Sequence, residues 1–182
     1  MRFFLKALLW HPKTTGALLP SSKYLANCMA RQIVRPNNGL VIELGGGTGA
    51  ITKAISQHID TKNIIVIEKT AYLVDKLKKR FPDITVIHGD VTDLTILLSH
   101  CTRPIDTILS GLPLRAMSKK SRDAVLSQIP ALLSKNGRFI QFTYSLFSHD
   151  SFYPSGYTPI QHVIVWRNVP PAKVTIFQTE KI

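Results

Sequence analysis

The chain has 182 residues, the length of one domain with a substantial core, and 45% of them are hydrophobic, which excludes an intrinsically disordered chain. Its formal net charge of +12 at neutral pH favours an anionic partner, such as nucleic acid, an acidic membrane surface or a phosphorylated substrate. No apolar run approaches the ~20 residues that a membrane-spanning helix requires.

The first fifth of the chain concentrates the positive charge. No Asp or Glu precedes Glu43, whereas six Lys and Arg residues do, so half of the net charge lies there. Residues 2–11 have the spacing of a short amphipathic helix that Pro12 ends, and this predicts either an interfacial membrane helix or a helix packed on the domain. We assign residues 1–38 to a basic N-terminal cap and residues 39–182 to the core of the same domain. The candidate membrane and substrate residues of the cap are Arg2, Phe3, Phe4, Lys6, Trp10, Lys13, Ser21, Ser22 and Lys23.

The cap is expected to remain in the mature protein. Lys6 splits its apolar start, and no small-residue cleavage pattern follows. Gly and Pro then mark a loop over residues 14–20, and the hydroxyl that follows is suited to cap a helix from about Ser22 to Val34.

A glycine-rich stretch follows the cap. The run Val41-Ile42-Glu43-Leu44 leads into four glycines within five positions, and the residues from Ala50 onward have helical spacing. The pattern predicts a strand, a tight loop and a helix, with backbone N–H groups of the loop close to a ligand.

Strands and helices then alternate, which predicts an α/β, doubly wound, mostly parallel sheet with ligands at its carboxyl edge. Two closely spaced strands at the end predict an antiparallel hairpin. Residues 145–160, which contain Pro154, Gly156 and Pro159, predict a loop or a short lid. The predicted strands are 63–68, 84–88, 105–109, 137–144, 162–166 and 173–177, and the predicted helices are 71–80, 94–99 and 119–133.

The glycine pattern alone leaves the cofactor open. Gly45-x-Gly47-x-x-Ala50, with Glu68 about 20 residues later, satisfies the dinucleotide pattern of NAD-binding proteins. Glu43 before the glycines, Asp90 after the third strand, Ser110-Gly111-Leu112-Pro113 after the fourth strand and the terminal hairpin instead favour S-adenosylmethionine.

With these motifs, residues 39–178 resemble the class I S-adenosylmethionine-dependent methyltransferases, which implies a Rossmann-like, seven-stranded fold and S-adenosylmethionine as the cofactor. The resemblance implies that Gly45, Gly47 and Gly49 border the methionine part and that Glu68 accepts hydrogen bonds from both ribose hydroxyls. It also implies that Asp90 binds the adenine amino group and that the Val91 N–H binds the ring. Glu43, Lys69 and Ser110 complete the candidate cofactor residues.

The stretch from Thr15 to Ser22 and the stretch from Ser110 to Leu114 are similar to those of bacterial phospholipid N-methyltransferases, themselves related to ribosomal RNA adenine dimethylases. Methyltransferases of planar amines resemble one another in a polar side chain and an aromatic ring at positions that are Gly111 and Leu114 here. Without them an adenine would be poorly held, whereas an aliphatic amine needs no stacking.

The expected activity is therefore methylation of phosphatidylethanolamine and its methylated intermediates by a cytoplasmic enzyme, peripheral on the inner face of the membrane. Anionic lipid is the expected partner, nucleic acid is the alternative, and the oligomeric state is left open. An RNA methyltransferase of the adenine-dimethylase type is the competing function, and a binding module without activity and an NAD oxidoreductase are further alternatives. No metal is expected, and Cys28 and Cys101 are expected to be reduced thiols. The candidate residues for positioning the amine or removing its proton are Tyr24, Ser110, Gly111, Tyr144 and His149.

Overall fold

The computed structural model describes residues 21–34, 39–146 and 152–179. Its helices are α1 (Lys23–Ala30), α2 (Ala50–Ser56), α3 (Ala71–Arg80), α4 (Leu94–Leu97) and α5 (Lys119–Leu132). Its strands are β1 (Leu40–Leu44), β2 (Ile64–Glu68), β3 (Thr85–His88), β4 (Ile105–Ser110), β5 (Leu133–Thr143), β6 (Tyr157–Val165) and β7 (Ala172–Thr179). Short 3-10 turns over Thr61–Asn63 and Val91–Asp93 precede β2 and α4.

The seven strands form one mixed sheet in the order β3-β2-β1-β4-β5-β7-β6. The first five are parallel to one another, and β7 pairs antiparallel with both β5 and β6. This arrangement confirms the predicted α/β class, the doubly wound order and the terminal hairpin. The order reverses between β1 and β4, where sheets of this kind bind their ligands.

Alternate residues of each central strand supply the two hydrophobic cores. Val41, Ile64 and Val66 face the core beneath α1, α2 and α3, whereas Ile42 and Ile65 face the core beneath α4 and α5. Both faces of β1 and β2 are therefore buried, which is why these strands have mostly apolar sequences. Because α1 shares the first core, the described end of the N-terminal cap packs on the sheet.

Several element boundaries differ from the prediction. Helix α1 ends at Ala30 rather than Val34, with Arg31 as its C-cap. Strand β5 begins at Leu133, where its register against β4 shifts, and so starts before residue 137, the predicted start.

Strand β6 begins at Tyr157, so the last part of the predicted loop or lid is strand. Pro159 is tolerated there because β6 pairs only with β7 in the sheet order, and the ladder shifts between Pro159 and Gln161. The prediction of a loop was wrong over these residues because proline was treated as a strand breaker. Residues 147–151 lie outside the described part of the chain.

Candidate functional site

The ends of β1, β2 and β4 bring two loops together at the carboxyl edge of the sheet. The first, residues 45–49, is called the glycine loop, and the second, residues 111–114, is called the acceptor loop. The Gly45 N–H donates to the carbonyl of Ile67 over 2.9 Å, and the Gly111 N–H donates to the carbonyl of Leu44 over 2.8 Å. Both loops thus continue the hydrogen-bond ladder past the strand ends, on either side of the switch in strand order.

Three of the five residues of the glycine loop have a left-handed backbone, and the loop is open at Gly47. Gly45, Gly47 and Gly49 have φ angles of +79°, +52° and +80°. At Gly47 a side chain would meet no heavy atom within 4 Å, so its conformation and not crowding favours glycine. The Gly47 N–H donates to Oε2 of Glu68 over 2.9 Å. The loop is therefore fixed by Glu68 and has free space at Gly47.

Glu68 ends β2 and is the acid that supports the glycine loop. It is buried, and its Oε1 accepts the N–H of Thr70 over 2.9 Å while Oε2 accepts that of Gly47. A carboxylate has about four lone-pair sites, so each oxygen retains one for a further donor. The remaining acceptor sites of Glu68 and the open space at Gly47 fit a ribose whose two adjacent hydroxyls would donate to this carboxylate, the role predicted for Glu68.

Glu43 is buried beneath the same loop. The Thr52 hydroxyl donates to its Oε2 over 2.7 Å and ties α2 to β1, while Oε1 has no partner within the described residues. Burial raises the pKa of Glu43 to about 8, against the hydrogen bonds from Thr52, and the negative Glu68 raises it further. Glu43 is therefore largely protonated at neutral pH. Glu43, one of the candidate cofactor residues, thus links β1 to α2 beneath the loop, and Thr52 was not identified from the sequence as its partner.

Asp90 and Lys69 connect the ends of β2 and β3. The Lys69 ammonium donates to Oδ2 of Asp90 over 2.6 Å, and the Thr92 N–H donates to Oδ1 over 3.0 Å. The hydrogen bond from Lys69 is the main cause that lowers the pKa of Asp90, and the same bond raises the pKa of Lys69. Any adenine amino group at Asp90 would share this carboxylate with Lys69. Val91 begins the adjacent 3-10 turn and is buried.

The acceptor loop touches the backbone of the glycine loop. A Cβ at Gly111 would lie 2.9 Å from the carbonyl oxygen of Gly45 and 3.2 Å from that of Leu44. Leu114 is only 3% exposed and packs in the core beneath α5. The acceptor loop therefore has no room for a side chain at residue 111, and residue 114 faces inward.

Two polar side chains support the acceptor loop from the sheet. Ser110 is buried, and the Leu112 N–H approaches its hydroxyl at 3.4 Å. Gln141, opposite Ser110 on β5, donates from Nε2 to the carbonyls of Leu112 and Phe142 over 3.0 and 2.8 Å. Its Oε1 is buried without a partner within the described residues. Gln141 was not among the predicted site residues, although a glutamine within an apolar strand is a usable signal of a polar site.

Tyr144 follows β5 and packs edge-on against Phe142, with ring centroids 5.4 Å apart. Burial raises the pKa of its phenol, against a hydrogen bond with Asn168. The phenol is therefore protonated at neutral pH and suited to hydrogen bonding rather than to acting as a phenolate base.

The start of α1 lies beside the turn between β6 and β7. The Ser22 hydroxyl caps the helix by accepting the Leu25 N–H over 3.2 Å, and Ser21 precedes it. Tyr24 packs on the core, with the Arg167 guanidinium 4.4 Å and the Lys23 ammonium 5.3 Å from its ring centroid. Its role as the helix cap explains Ser22. Tyr24 belongs to a cluster with the cations Lys23 and Arg167, near the turn between β6 and β7.

The remaining candidate residues lie outside the described part of the chain, namely Arg2, Phe3, Phe4, Lys6, Trp10, Lys13 and His149. Within residues 21–34, 39–146 and 152–179, no three His, Cys, Asp or Glu side chains converge as metal ligands would. None of the helices in those ranges combines the length and hydropathy needed to cross a membrane.

Comparison with known proteins agrees with this geometry. A family model described as "Methyltransferase domain" matches residues 41–137. An ornithine lipid N-methyltransferase of Singulisphaera acidiphila is 32% identical over 174 residues, which cover 93% of this chain and 91% of that protein.

Two solved structures share the fold. TrmN from Thermus thermophilus superposes with a TM-score of 0.68 at 16% identity, over 86% of this chain and 48% of that one. A 1,6-didemethyltoxoflavin-N1-methyltransferase of Burkholderia thailandensis, solved with its substrate and S-adenosylhomocysteine, has a TM-score of 0.67 at 15% identity, over 99% of this chain and 87% of that one.

Proposed function

Because the chain belongs to the class I S-adenosylmethionine-dependent methyltransferases, we propose that it methylates the headgroup amine of a membrane lipid, with phosphatidylethanolamine and its methylated intermediates as acceptors. The enzyme uses S-adenosylmethionine, and the proposed part is the identity of the methyl acceptor. The observation that carries the proposal is the shape of the acceptor loop.

A planar base needs a polar side chain for its amine and a ring to stack on. In the acceptor loop, Gly111 has no space for a side chain because of the Gly45 and Leu44 carbonyls, and Leu114 is in the core. What the loop offers is main-chain groups next to the buried hydroxyl of Ser110. These groups suit an aliphatic amine, which is compact, tetrahedral and rich in donors.

The similarity to an ornithine lipid N-methyltransferase extends over nearly the whole chain and supports a lipid as the methyl acceptor. Ornithine and ethanolamine headgroups both present a primary amine on an aliphatic chain. The two lipids are thus related acceptors for one site, and the ethanolamine lipid adds a phosphate that suits the net charge of +12.

The cofactor would lie over the glycine loop. We assign the ribose to Glu68, the adenine to Asp90 and the Val91 N–H, and the methionine part to the loop glycines, with Lys69 and Ser110 alongside. When bound, S-adenosylmethionine would supply a sulfonium methyl group, to whose carbon the amine lone pair would form a new N–C bond in line as the C–S bond breaks and S-adenosylhomocysteine leaves. The contribution of the chain is to bind, orient and exclude water, since this reaction depends mainly on positioning.

The acceptor must lose a proton before it can attack. A lipid ammonium resembles a lysine side chain, whose pKa is ~10.4, so it is largely charged at neutral pH. Partial burial beside Ser110 favours the neutral amine, because desolvation disfavours the charged form. We assign the binding of the amine to Ser110 and the carbonyl of Gly111. Tyr24 and Tyr144 lie farther along the edge, and we assign them to the surroundings of the headgroup.

The N-terminal cap would bring the enzyme to the inner face of the membrane as a peripheral protein. Its aromatic residues Phe3, Phe4 and Trp10 suit the interface, and its cations suit anionic headgroups. Lys13, Ser21, Ser22 and Lys23 would then meet the lipid headgroup.

The second candidate is an RNA methyltransferase of the adenine-dimethylase type, which the net charge of +12 favours. The same acceptor loop weighs against it, because a flipped adenine would find neither a polar side chain at residue 111 nor a ring at residue 114.

The test is methyl transfer from labelled S-adenosylmethionine to vesicles that contain phosphatidylethanolamine, ornithine lipid or only phosphatidylglycerol, and to total RNA. We expect label in the amine lipids and none in phosphatidylglycerol, which has no amine. Glu68→Ala is the inactive control, because it removes the proposed ribose acceptor. Label in RNA without label in any lipid would refute the proposal.

A further inference from the structure

The turn between β6 and β7, residues 166–171, is here called the hairpin tip. It carries two large apolar side chains in water, since Trp166 is 66% exposed and Val169 is 87% exposed. Ile164 is the next-to-last residue of β6, two positions before Trp166, so strand alternation places it on the same side. It is a further exposed apolar residue. An apolar cluster of this kind on a protein surface indicates an interaction site.

The hairpin tip is a built turn and not a loose loop. Asn168 is 3% exposed at its centre and donates from Nδ2 to the carbonyl of Pro170 over 2.6 Å, while its N–H donates to the carbonyl of Val165 over 3.2 Å. Asn168 also hydrogen-bonds to Tyr144. The turn therefore holds Trp166 and Val169 outward in a fixed arrangement, which lowers the entropy lost when they dock.

The hairpin tip lies on the same edge of the sheet as the functional site. Lys173 at the start of β7 pairs with Thr143 at the end of β5, and Val165 pairs with Ala172, so the turn projects beyond the carboxyl ends of the parallel strands. Strands are ~4.8 Å apart, so the tip stands about 10–15 Å along this edge from the end of β4. A surface that touches the tip would face the acceptor loop.

The surroundings of the hairpin tip are cationic. Arg167 and Lys23 both lie over the Tyr24 ring, and Lys173 is the second residue of β7. No Asp or Glu occurs between residues 151 and 179 or before Glu43. Apolar side chains within a cationic rim match a bilayer with anionic headgroups.

We propose that the hairpin tip is a membrane anchor, with Trp166 and Val169 inserted at the acyl boundary of an anionic bilayer and the cations of Lys23, Arg167 and Lys173 on its headgroups. This inference rests on the proposed function, because it explains how the carboxyl edge faces a lipid amine. The anchor is separate in sequence from the N-terminal cap, so the enzyme would contact the membrane at two places.

The test is sedimentation of the full chain with phosphatidylglycerol vesicles, which offer a bilayer but no amine to methylate. The variant is Trp166→Ser combined with Val169→Ser, and the matched control is Ile96→Ser, which changes a residue of α4 that is 72% exposed. We expect the double variant to bind at least about tenfold more weakly, since each side chain loses apolar burial. The control should bind the vesicles like the wild type, and added salt should weaken the vesicle binding of both the control and the wild type.

Fluorescence provides a second measurement that does not depend on the double variant folding. The chain has two tryptophans, so Trp10→Phe leaves Trp166 as the sole emitter. On saturating vesicles we expect its emission to shift to the blue and to be quenched by brominated lipid. Unshifted, unquenched emission from vesicle-bound protein would overturn the proposal.

Three sedimentation results would also overturn it. They are wild type that does not bind phosphatidylglycerol vesicles, a folded double variant that binds like wild type, and a double variant that changes only self-association, which would assign the tip to a second copy of the chain. Methyl transfer to detergent-dispersed lipid separates the two proposals. If neither the wild type nor the double variant methylates dispersed lipid while the hairpin tip still controls vesicle binding, only the proposed function fails.

Discussion

Replacing Glu43 with glutamine removes a buried titratable group while keeping the shape of the side chain. Glu43 is fully buried, one oxygen accepts the Thr52 hydroxyl over 2.7 Å, and the other has no partner within the described residues. A protonated carboxyl and an amide both place a donor at that second oxygen position. At low pH the wild type and Glu43→Gln should therefore have similar free energies of unfolding, within about 1 kcal/mol.

The two proteins should diverge as the pH rises. Burial raises the pKa of Glu43 from an ordinary value of 4.5 to about 8, so the folded state holds a proton that the unfolded state releases in between. A raised folded pKa gives stability that is complete below the unfolded pKa and lost as pH rises through the folded pKa. Each pH unit removes about 1.36 kcal/mol, so between pH 5 and pH 8 the wild type should lose about 3–4 kcal/mol that Glu43→Gln retains.

Chemical denaturation at pH 5, 6.5 and 8 measures this difference without cofactor. Asp60→Asn is the matched control, because the exposed Asp60 has its pKa lowered by its hydrogen bond with Lys62 and is ionised throughout that range. Its removal should shift the whole curve without changing the slope. Parallel curves for the wild type and Glu43→Gln would refute the argument that burial keeps Glu43 protonated.

Three further predictions concern the loops and their supports. Gly111→Ala should destabilise the fold by about 1–3 kcal/mol and weaken cofactor binding, because its Cβ would lie 2.9 Å from a carbonyl oxygen of the glycine loop; thermal melting and calorimetric titration measure both. Glu68→Ala should raise the Kd for S-adenosylmethionine at least about tenfold through lost charge-assisted hydrogen bonds, whereas Asp75→Asn on the exposed side of α3 should not; equal Kd values for the two would contradict the role of Glu68. Gln141→Leu should cost about 1–3 kcal/mol in chemical denaturation, because the Leu112 carbonyl loses its donor, and an unchanged free energy of unfolding would show that the bond is dispensable.

The fold was predictable because local and tertiary signals agree along the central strands. Ile64 to Ile67 are buried on both faces, and such a strand needs no alternation to be recognised. The same holds for the glycine loop, whose left-handed residues are all glycines. Errors arose where the tertiary position reverses a local preference, as at Pro159, which an edge strand accommodates.

The supports of the site were less predictable than the residues they support. Thr52 lies nine positions after Glu43, and Gln141 lies far from Leu112 in sequence, yet each pair is hydrogen-bonded. These pairs depend on strand order and helix placement, which no local spacing encodes. Gly111 is a related case, because only the structure reveals that the Gly45 carbonyl occupies the space of its side chain.

The contact between Gly111 and Gly45 has a consequence for how the acceptor is oriented. Because the two loops approach at backbone distance, residue 111 of the acceptor loop can contact a substrate only through main-chain groups, next to the buried Ser110 hydroxyl. Such groups hold an amine but distinguish poorly between the molecules that carry it. If the enzyme methylates a lipid amine and the hairpin tip anchors it to the membrane, the remaining selectivity would come from the surface that presents the amine. A bilayer held by the hairpin tip fixes the height and direction of every headgroup beside the edge, and an amine free in solution lacks that orientation.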